Sequence, residues 1–185
     1  MRIISGKFRT RLIKTPCNNS IRPTSDRARE MIFNTLNSLL IKDKKKITGQ
    51  SILDFFCGTG ALGIEAVSRG ADQVIFFDSS NESLNLCRKN CEELKIIEKI
   101  KIVKLDIIND KFPKFKGKFD LFFCDPPYQI YSMKLIMEKI NFLMKKDSYG
   151  VLELGEKKTD LNFDSFEIIC TKRVSRSRFL FVKKI

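Results

Sequence analysis

An α/β fold built on a largely parallel sheet is what this 185-residue chain predicts, and three observations carry that expectation. From Ser51 onward, short apolar runs alternate with segments of helical spacing, the order expected of strands joined by covering helices. A glycine-rich turn stands between the first of these strands and the helix after it. Acidic residues close successive strands, at what would be one edge of the sheet. With 43% hydrophobic and 31% charged residues the composition is that of a globular chain, and the length suits one domain with a short N-terminal appendage.

In chain order, residues 1–22 read as a basic extension and 23–185 as the domain. Within the extension, β-branched residues around a Ser5-Gly6 turn signal predict a short basic β-hairpin over 2–15. After Pro23, Thr24 or Ser25 can cap a helix to about Leu40, because Ala28, Ile32, Leu36, Leu39 and Leu40 fall near helical spacing. Residues 42–46 read as a solvated linker. Strands are expected at 52–55, 73–78, 100–105, 119–125, 149–154, 166–171 and 178–183, with helices at about 60–69, 80–94 and 132–145. No apolar run approaches the roughly 20 residues of a membrane span and no cleavable signal pattern opens the chain, so a cytoplasmic location without membrane contact is expected.

Thirty-five Lys+Arg against 22 Asp+Glu leave a net charge of +13, which favours polyanionic partners. A/T-rich codon usage would also raise Lys, so the distribution is more informative than the total. Residues 1–30 hold eight Lys/Arg against two acids, and residues 171–185 hold six against none, so both ends look like a contact surface. Six cysteines, at 17, 57, 87, 91, 124 and 170, form no CxxC pair and read as reduced thiols. With no histidine in the chain, no metal site is expected, and Ser-His-Asp and Cys-His catalysis are excluded.

The first strand runs through Asp54 into Phe56-Cys57-Gly58-Thr59-Gly60-Ala61-Leu62-Gly63. Glycines such as Gly58 and Gly60 let the backbone approach a ligand closely at a strand's carboxyl end, beside Cys57. The spacing alone would also serve a dinucleotide oxidoreductase. Asp54 shifts the choice, because a carboxylate on the ligand side of the loop welcomes a cationic methionine amino group and repels a pyrophosphate. S-adenosylmethionine is the cofactor with that cation. Asp78, ending the next strand, can accept from both ribose hydroxyls, a feature shared with NAD enzymes. Asp106 can accept from an adenine amino group while Ile107 packs on the ring, although an acid at that place is also a common helix cap.

The segment Phe122-Phe123-Cys124-Asp125-Pro126-Pro127-Tyr128 then ends a buried strand in an acid, two stiffening prolines and an aromatic. An exocyclic base amine is a poor nucleophile because its lone pair is delocalised into the ring. If the Asp125 carboxylate and the Pro126 carbonyl accept its two N–H groups, with Pro127 stiffening the turn, the nitrogen can rehybridise as it attacks a methyl group, and Tyr128 can stack on the base. An isolated match of this kind would be only a rigid turn. It gains meaning by following a glycine loop and two strand-end acids in order.

These segments together resemble the RsmD family of 16S ribosomal RNA guanine-N2 methyltransferases over nearly the whole chain. Ile21 to Glu30 look like its RPTxDRxRE signature, Leu53 to Ala71 are similar to its cofactor motif, and Asp125-Pro126-Pro127-Tyr128 to its catalytic motif. The resemblance implies a Rossmann-like class I fold with a seven-stranded, mostly parallel sheet, helices on both faces and an RNA-binding N-terminal hairpin. It also implies methyl transfer from S-adenosylmethionine to N2 of a guanine in 16S rRNA, on an assembled or assembling small ribosomal subunit, by a monomer. Arg22, Arg27 and Arg29, with Lys7, Arg9 and Arg11, become candidates to face RNA phosphate, while Thr24, Asp26 and Glu30 would shape the pocket rim. One departure stands out, since Val174-Ser175 replaces the Tyr-Gly pair expected before the last strand.

Other readings remain open at this stage. Adenine N6 in DNA or RNA presents the same NH2 to the same acceptors. A glutamine-side-chain methyltransferase would favour Asn where this chain has Asp125, because an amide substrate wants both a donor and an acceptor. A NAD-dependent oxidoreductase would leave the proline turn and basic ends unexplained, and a non-catalytic RNA-binding assembly factor would keep the fold without the reaction.

Overall fold

In a computed structural model, residues 1–16, 24–115, 118–127, 132–155 and 161–185 are described. The apolar runs become seven strands of one sheet. These are β1 (Ser51–Phe55), β2 (Gln73–Asp78), β3 (Ile100–Lys104), β4 (Phe119–Cys124), β5 (Met144–Leu154), β6 (Phe166–Val174) and β7 (Ser177–Lys184). Their order is β3-β2-β1-β4-β5-β7-β6. The first five are parallel, and β7 is antiparallel to both β5 and β6. This matches the expected seven-stranded, mostly parallel arrangement. The order reverses between β1 and β4, and in such sheets ligands bind at the carboxyl ends on either side of that switch point.

Strand side chains alternate between two apolar layers, as a period of two requires. Ile52, Val74, Phe76, Leu121, Phe123 and Val151 face helices α1 (Asp26–Lys42), α2 (Ala61–Ser68) and α3 (Asn81–Glu93). Leu53, Phe55, Ile75, Phe77, Phe122 and Leu152 face helix α4 (Met133–Asn141) and the segment around Leu105 to Phe115. Both faces are therefore covered, which is why these strands read as continuous apolar runs in the sequence.

Ser25 is the N-cap of α1, its hydroxyl accepting from the Ala28 N–H at 3.2 Å. Helix α2 is buried on every side, as its apolar circumference ALGIEAVS demands. Gly63 lets it lie close to β2, for a Cβ there would sit 2.3 Å from the Phe76 ring. The outer side of α2 is covered by the N-terminal segment, in which Ile3 and Ile13 join the main core. That segment forms one antiparallel bridge, Arg2 with Leu12, and its Ile3 and Ile13 N–H groups donate to the Arg11 and Met1 carbonyls at 2.9 Å. It is a minimal hairpin fastened to the domain's own core.

Helix α4 ends at Asn141, short of the expected 145, and Met144 already belongs to β5. Between Phe119 and Leu121 of β4 the partner jumps from Met144 to Tyr149, so Lys145, Lys146 and Asp147 bulge out of register. A polar run that reads as the end of a helix is instead the exposed bulge of a strand, anchored where Lys145 meets Asp120 at 2.7 Å.

Candidate active site

At the switch point, β1 delivers Asp54 and β4 delivers Asp125, with Phe55 and Cys124 directly paired between them. The chain after β1 turns sharply through three positive-φ residues, Phe56 (58°), Gly58 (52°) and Gly60 (78°). For glycine this conformation is cheap, whereas for Phe56 it costs about 1–2 kcal/mol. The turn is pinned on both sides. The Cys57 N–H donates to the Phe77 carbonyl at 3.0 Å, and the Gly58 N–H to Asp78 Oδ2 at 3.0 Å. Helix α2 begins at once after it.

Asp54 is 2% exposed and accepts a hydrogen bond from the Gly63 N–H at 2.9 Å, so a strand carboxylate satisfies a donor that the first turn of α2 would otherwise orphan. Burial nevertheless dominates, and with a push from nearby Asp78 it raises the Asp54 carboxyl to a pKa of about 8. Asp78 uses its other oxygen to accept from the Ser80 N–H at 2.9 Å, and each oxygen keeps a second acceptor position. The thiols of Cys57 and Cys124 are held up by burial and stay neutral.

Asp54, Cys57, Gly58, Asp78, Asp125, Pro126 and Pro127 line one cavity of about 550 Å³. Thr24 lines it as well, whereas Gly60 lies beneath the turn, where its αL backbone starts α2. Asp106 and Ile107 are not among the lining residues. The Asp106 carboxylate is occupied locally, accepting from the Ile108 and Asn109 N–H groups and from the Asn109 amide, contacts that hold its pKa below the usual carboxylate range. Ile107 is buried in the second apolar layer. Tyr128 and Arg22 lie outside the described residues.

The basic candidates divide. Arg27 is exposed on the first turn of α1, beside the cavity-lining Ser25 and Ala28. Lys7, Arg9 and Arg11 are exposed as well, but the Lys7 N–H donates to the carbonyl of Ser68 at the far end of α2, about 9 Å along that helix from cavity-lining Leu62. Arg29 corrects the expectation of a phosphate contact. It is fully buried, its guanidinium donating to the Arg2 carbonyl at 2.7 Å and Asp26 at 2.6 Å, with Glu65 at 3.6 Å. A helical arginine three residues from its acid reads as surface in sequence, yet here it fastens the N-terminal segment.

Sequence reasoning missed Glu153 and Ser177 on the opposite wall, and it marked Val174-Ser175 only as a departure from the family pattern, without placing the pair in the cavity. Glu153 carried a visible signal, because it too is an acid at the carboxyl end of a parallel strand. Four carboxylates, Asp54, Asp78, Asp125 and Glu153, thus face a single cavity in a chain of net charge +13. Such a cavity favours a cationic small ligand and disfavours a pyrophosphate. Among the described residues no cluster of His, Cys, Asp and Glu could hold a metal ion, and no helix is long and apolar enough to cross a membrane.

The family model described as conserved hypothetical protein 95 matches residues 1–183. A Bacillus subtilis (strain 168) protein provisionally named rRNA methyltransferase YlbH is 28% identical over 177 residues, covering 94% of this chain and 92% of that protein. Ribosomal RNA small subunit methyltransferase D of Buchnera aphidicola subsp. Acyrthosiphon pisum (strain APS) is 30% identical over 162 residues, covering 85% and 79%. An Escherichia coli structure, yhhF, provisionally described as a methyltransferase, superposes with a TM-score of 0.80 at 23% identity over 100% of this chain and 97% of that one, a likeness of fold. With the motif order, the carboxylate-lined switch point and a family match across nearly the whole chain, this protein belongs to the RsmD family of Rossmann-like methyltransferases.

Proposed function

We propose that this chain transfers a methyl group from S-adenosylmethionine to the exocyclic N2 of a guanine in small-subunit ribosomal RNA, acting as a cytoplasmic monomer on assembled or assembling subunits. The observation that carries the cofactor is the cavity itself, a pocket lined by four carboxylates at the switch point of a parallel sheet. Asp54 would hold the methionine ammonium, Asp78 the ribose hydroxyls, and the loop from Phe56 to Gly60 would let the backbone come close. The sulfonium, when bound, supplies an activated methyl group and a good leaving group, so the protein's contribution is alignment and electrostatics.

Asp125 and the Pro126 carbonyl would accept the two N–H groups of the base amine, freeing its lone pair as the N–C bond forms and taking up the positive charge that develops. One proton then leaves the amine toward solvent. Ribosomal RNA as substrate rests on the relatives' names and on the basic surface around an acidic pocket. Asp at position 125 supports an amine over an amide substrate, since a carboxylate offers acceptors alone.

The test is transfer of labelled methyl from S-adenosylmethionine to unmodified small ribosomal subunits, followed by nucleoside digestion. N2-methylguanosine is the expected product. N6-methyladenosine would overturn the choice of base, and absence of transfer despite cofactor binding would overturn the reaction.

A further inference from the structure

One wall of the cavity is the turn joining β6 to β7, a basic element at the rim of the carboxylate-lined site. Val174 and Ser177 pair across a two-residue turn, Ser175-Arg176, and Val174, Ser175 and Ser177 line the same cavity as Asp54 and Asp125. Ser175 holds φ at 52°, the left-handed region that such turns usually assign to Gly, Asn or Asp. The turn therefore retains a strained serine at the cavity wall.

Around it, Lys172, Arg173, Arg176 and Arg178 fall within seven residues, and residues 171–185 contain no acid. Lys172, Arg173 and Arg176 are exposed. Arg173 stands directly opposite Arg178 in the β6–β7 ladder, an arrangement of like charges that opposes the pairing it sits in. Concentrated, exposed positive charge on a strained turn beside an acidic pocket suits an anion that reaches the rim but not the floor. On the opposite rim, Ser25 and Ala28 line the cavity next to exposed Arg27. By contrast the Lys7 N–H is bonded to the Ser68 carbonyl at the far end of α2, with Arg9 and Arg11 in the same N-terminal segment.

We infer that the β6–β7 turn is the phosphate clamp for the RNA strand flanking the target nucleotide, with Lys172, which shares the sheet face of cavity-lining Val174, and Arg176 at the turn holding the backbone on one side of the cavity and Arg27 on the other. This rests on the reading of the site as an RNA methyltransferase. The clamp positions the strand so that the base alone enters the carboxylate-lined pocket, where phosphate would be repelled. Lys172 and Arg176 are binding residues, and neither lines the cavity in which the reaction takes place.

The experiment compares the full chain with a Lys172→Ala/Arg176→Ala double variant and a charge-retaining Lys172→Arg/Arg176→Lys counterpart. Affinity for unmodified small ribosomal subunits is measured from 50 to 200 mM salt, alongside methyl-transfer KM and calorimetric affinity for S-adenosylmethionine. Each lost phosphate contact reduces the salt slope of log affinity by about 0.7 for single-stranded RNA. Two contacts make about 1.4, so the gap between wild type and variant changes about sevenfold across that fourfold range of salt. The expected result is a reduced slope and raised KM in the alanine variant, unchanged cofactor affinity, and recovery of the slope in the charge-retaining variant. An unchanged slope and KM in the alanine variant, with the wild type active, overturns the clamp and leaves the enzyme reading standing. A wild type that neither binds nor methylates the subunits overturns both.

Discussion

Asp54 and Asp125 stand on neighbouring strands and work through opposite properties. Because burial lifts Asp54 to a pKa of about 8, the empty protein holds this carboxyl mostly protonated at neutral pH. A raised acid costs nothing below its ordinary value near 4, and the cost grows as pH climbs from there to about 8. The ligand-free protein should therefore lose thermal stability across that window, and Asp54→Asn should flatten the dependence, as melting temperatures at a series of pH values would show. An ammonium seated against Asp54 favours its ionised form, so cofactor binding should release a proton below pH 8. Affinity should rise with pH toward about 8 and fall beyond it as a free α-amino group, with its own pKa near 8, loses its charge. Calorimetry in two buffers of different ionisation enthalpy reads that proton directly, and a pH-independent affinity with no proton release would remove Asp54 from the ammonium site. Asp125 is proposed to act later, at the amine. Asp125→Ala should lower kcat by about a hundred- to a thousandfold, the usual effect of deleting one group that meets developing charge. Cofactor affinity should stay within about twofold, and turnover near the wild-type level would end its proposed role.

Helix α2 joins the cofactor loop to the N-terminal segment, and Glu65 is the joint. Fully buried, it accepts the Ile4 and Ser5 N–H groups at 2.8 and 3.0 Å and Arg69 Nε at 2.8 Å, with Arg29 at 3.6 Å. Removing one partner from a buried ionic network of this kind costs about 3–5 kcal/mol, because the remaining charges and donors keep their burial without their partner. Glu65→Ala should lower the denaturant midpoint accordingly and expose the Ile4 and Ser5 amides to hydrogen exchange, while a loss below about 1 kcal/mol would show that the segment is held by its other contacts, among them buried Ile3 and Ile13 and the bonds to Ser68 and Arg29. That joint explains what could be read in advance and what could not. Strands such as Gln73–Asp78 were legible because a strand buried on both faces is an unbroken apolar run, and α1 because Ser25 caps it. Asp54, Asp78 and Asp125 were legible because strand-end acids recur at one sheet edge. Arg29 was not, since its neighbours Asp26 and Glu30 describe a surface turn and its decisive partners, Glu65 and the Arg2 carbonyl, are remote in sequence. The β6–β7 turn was marked in the sequence by its basic run and by Val174-Ser175, but its place in the cavity wall was hidden for the same reason, because an antiparallel return comes back to the cavity only through tertiary pairing.

At the scale of the whole molecule, charge is sorted. The chain carries +13, yet its cavity is lined by Asp54, Asp78, Asp125 and Glu153. Attraction of a polyanion by the exposed lysines and arginines acts over distances comparable to the Debye length, about 10 Å at 0.1 M salt, and weakens as salt is added. The interaction of a small cation with buried Asp54 and Glu153 and half-buried Asp78 and Asp125 is a contact effect and is screened far less. Separate salt responses for the two substrates follow from this division. Between 50 and 200 mM salt, affinity for RNA should fall steeply, by about tenfold or more if three or more phosphates are neutralised, whereas cofactor affinity should change by less than about twofold. Titrating each ligand by itself across that range measures both. Parallel losses would mean that the cofactor's hold is also a long-range field effect, and flat responses for both would mean that the net charge reflects composition alone. Divergence would assign the two signs of charge to two tasks, the surface to bringing the strand in and the pocket to admitting only its base.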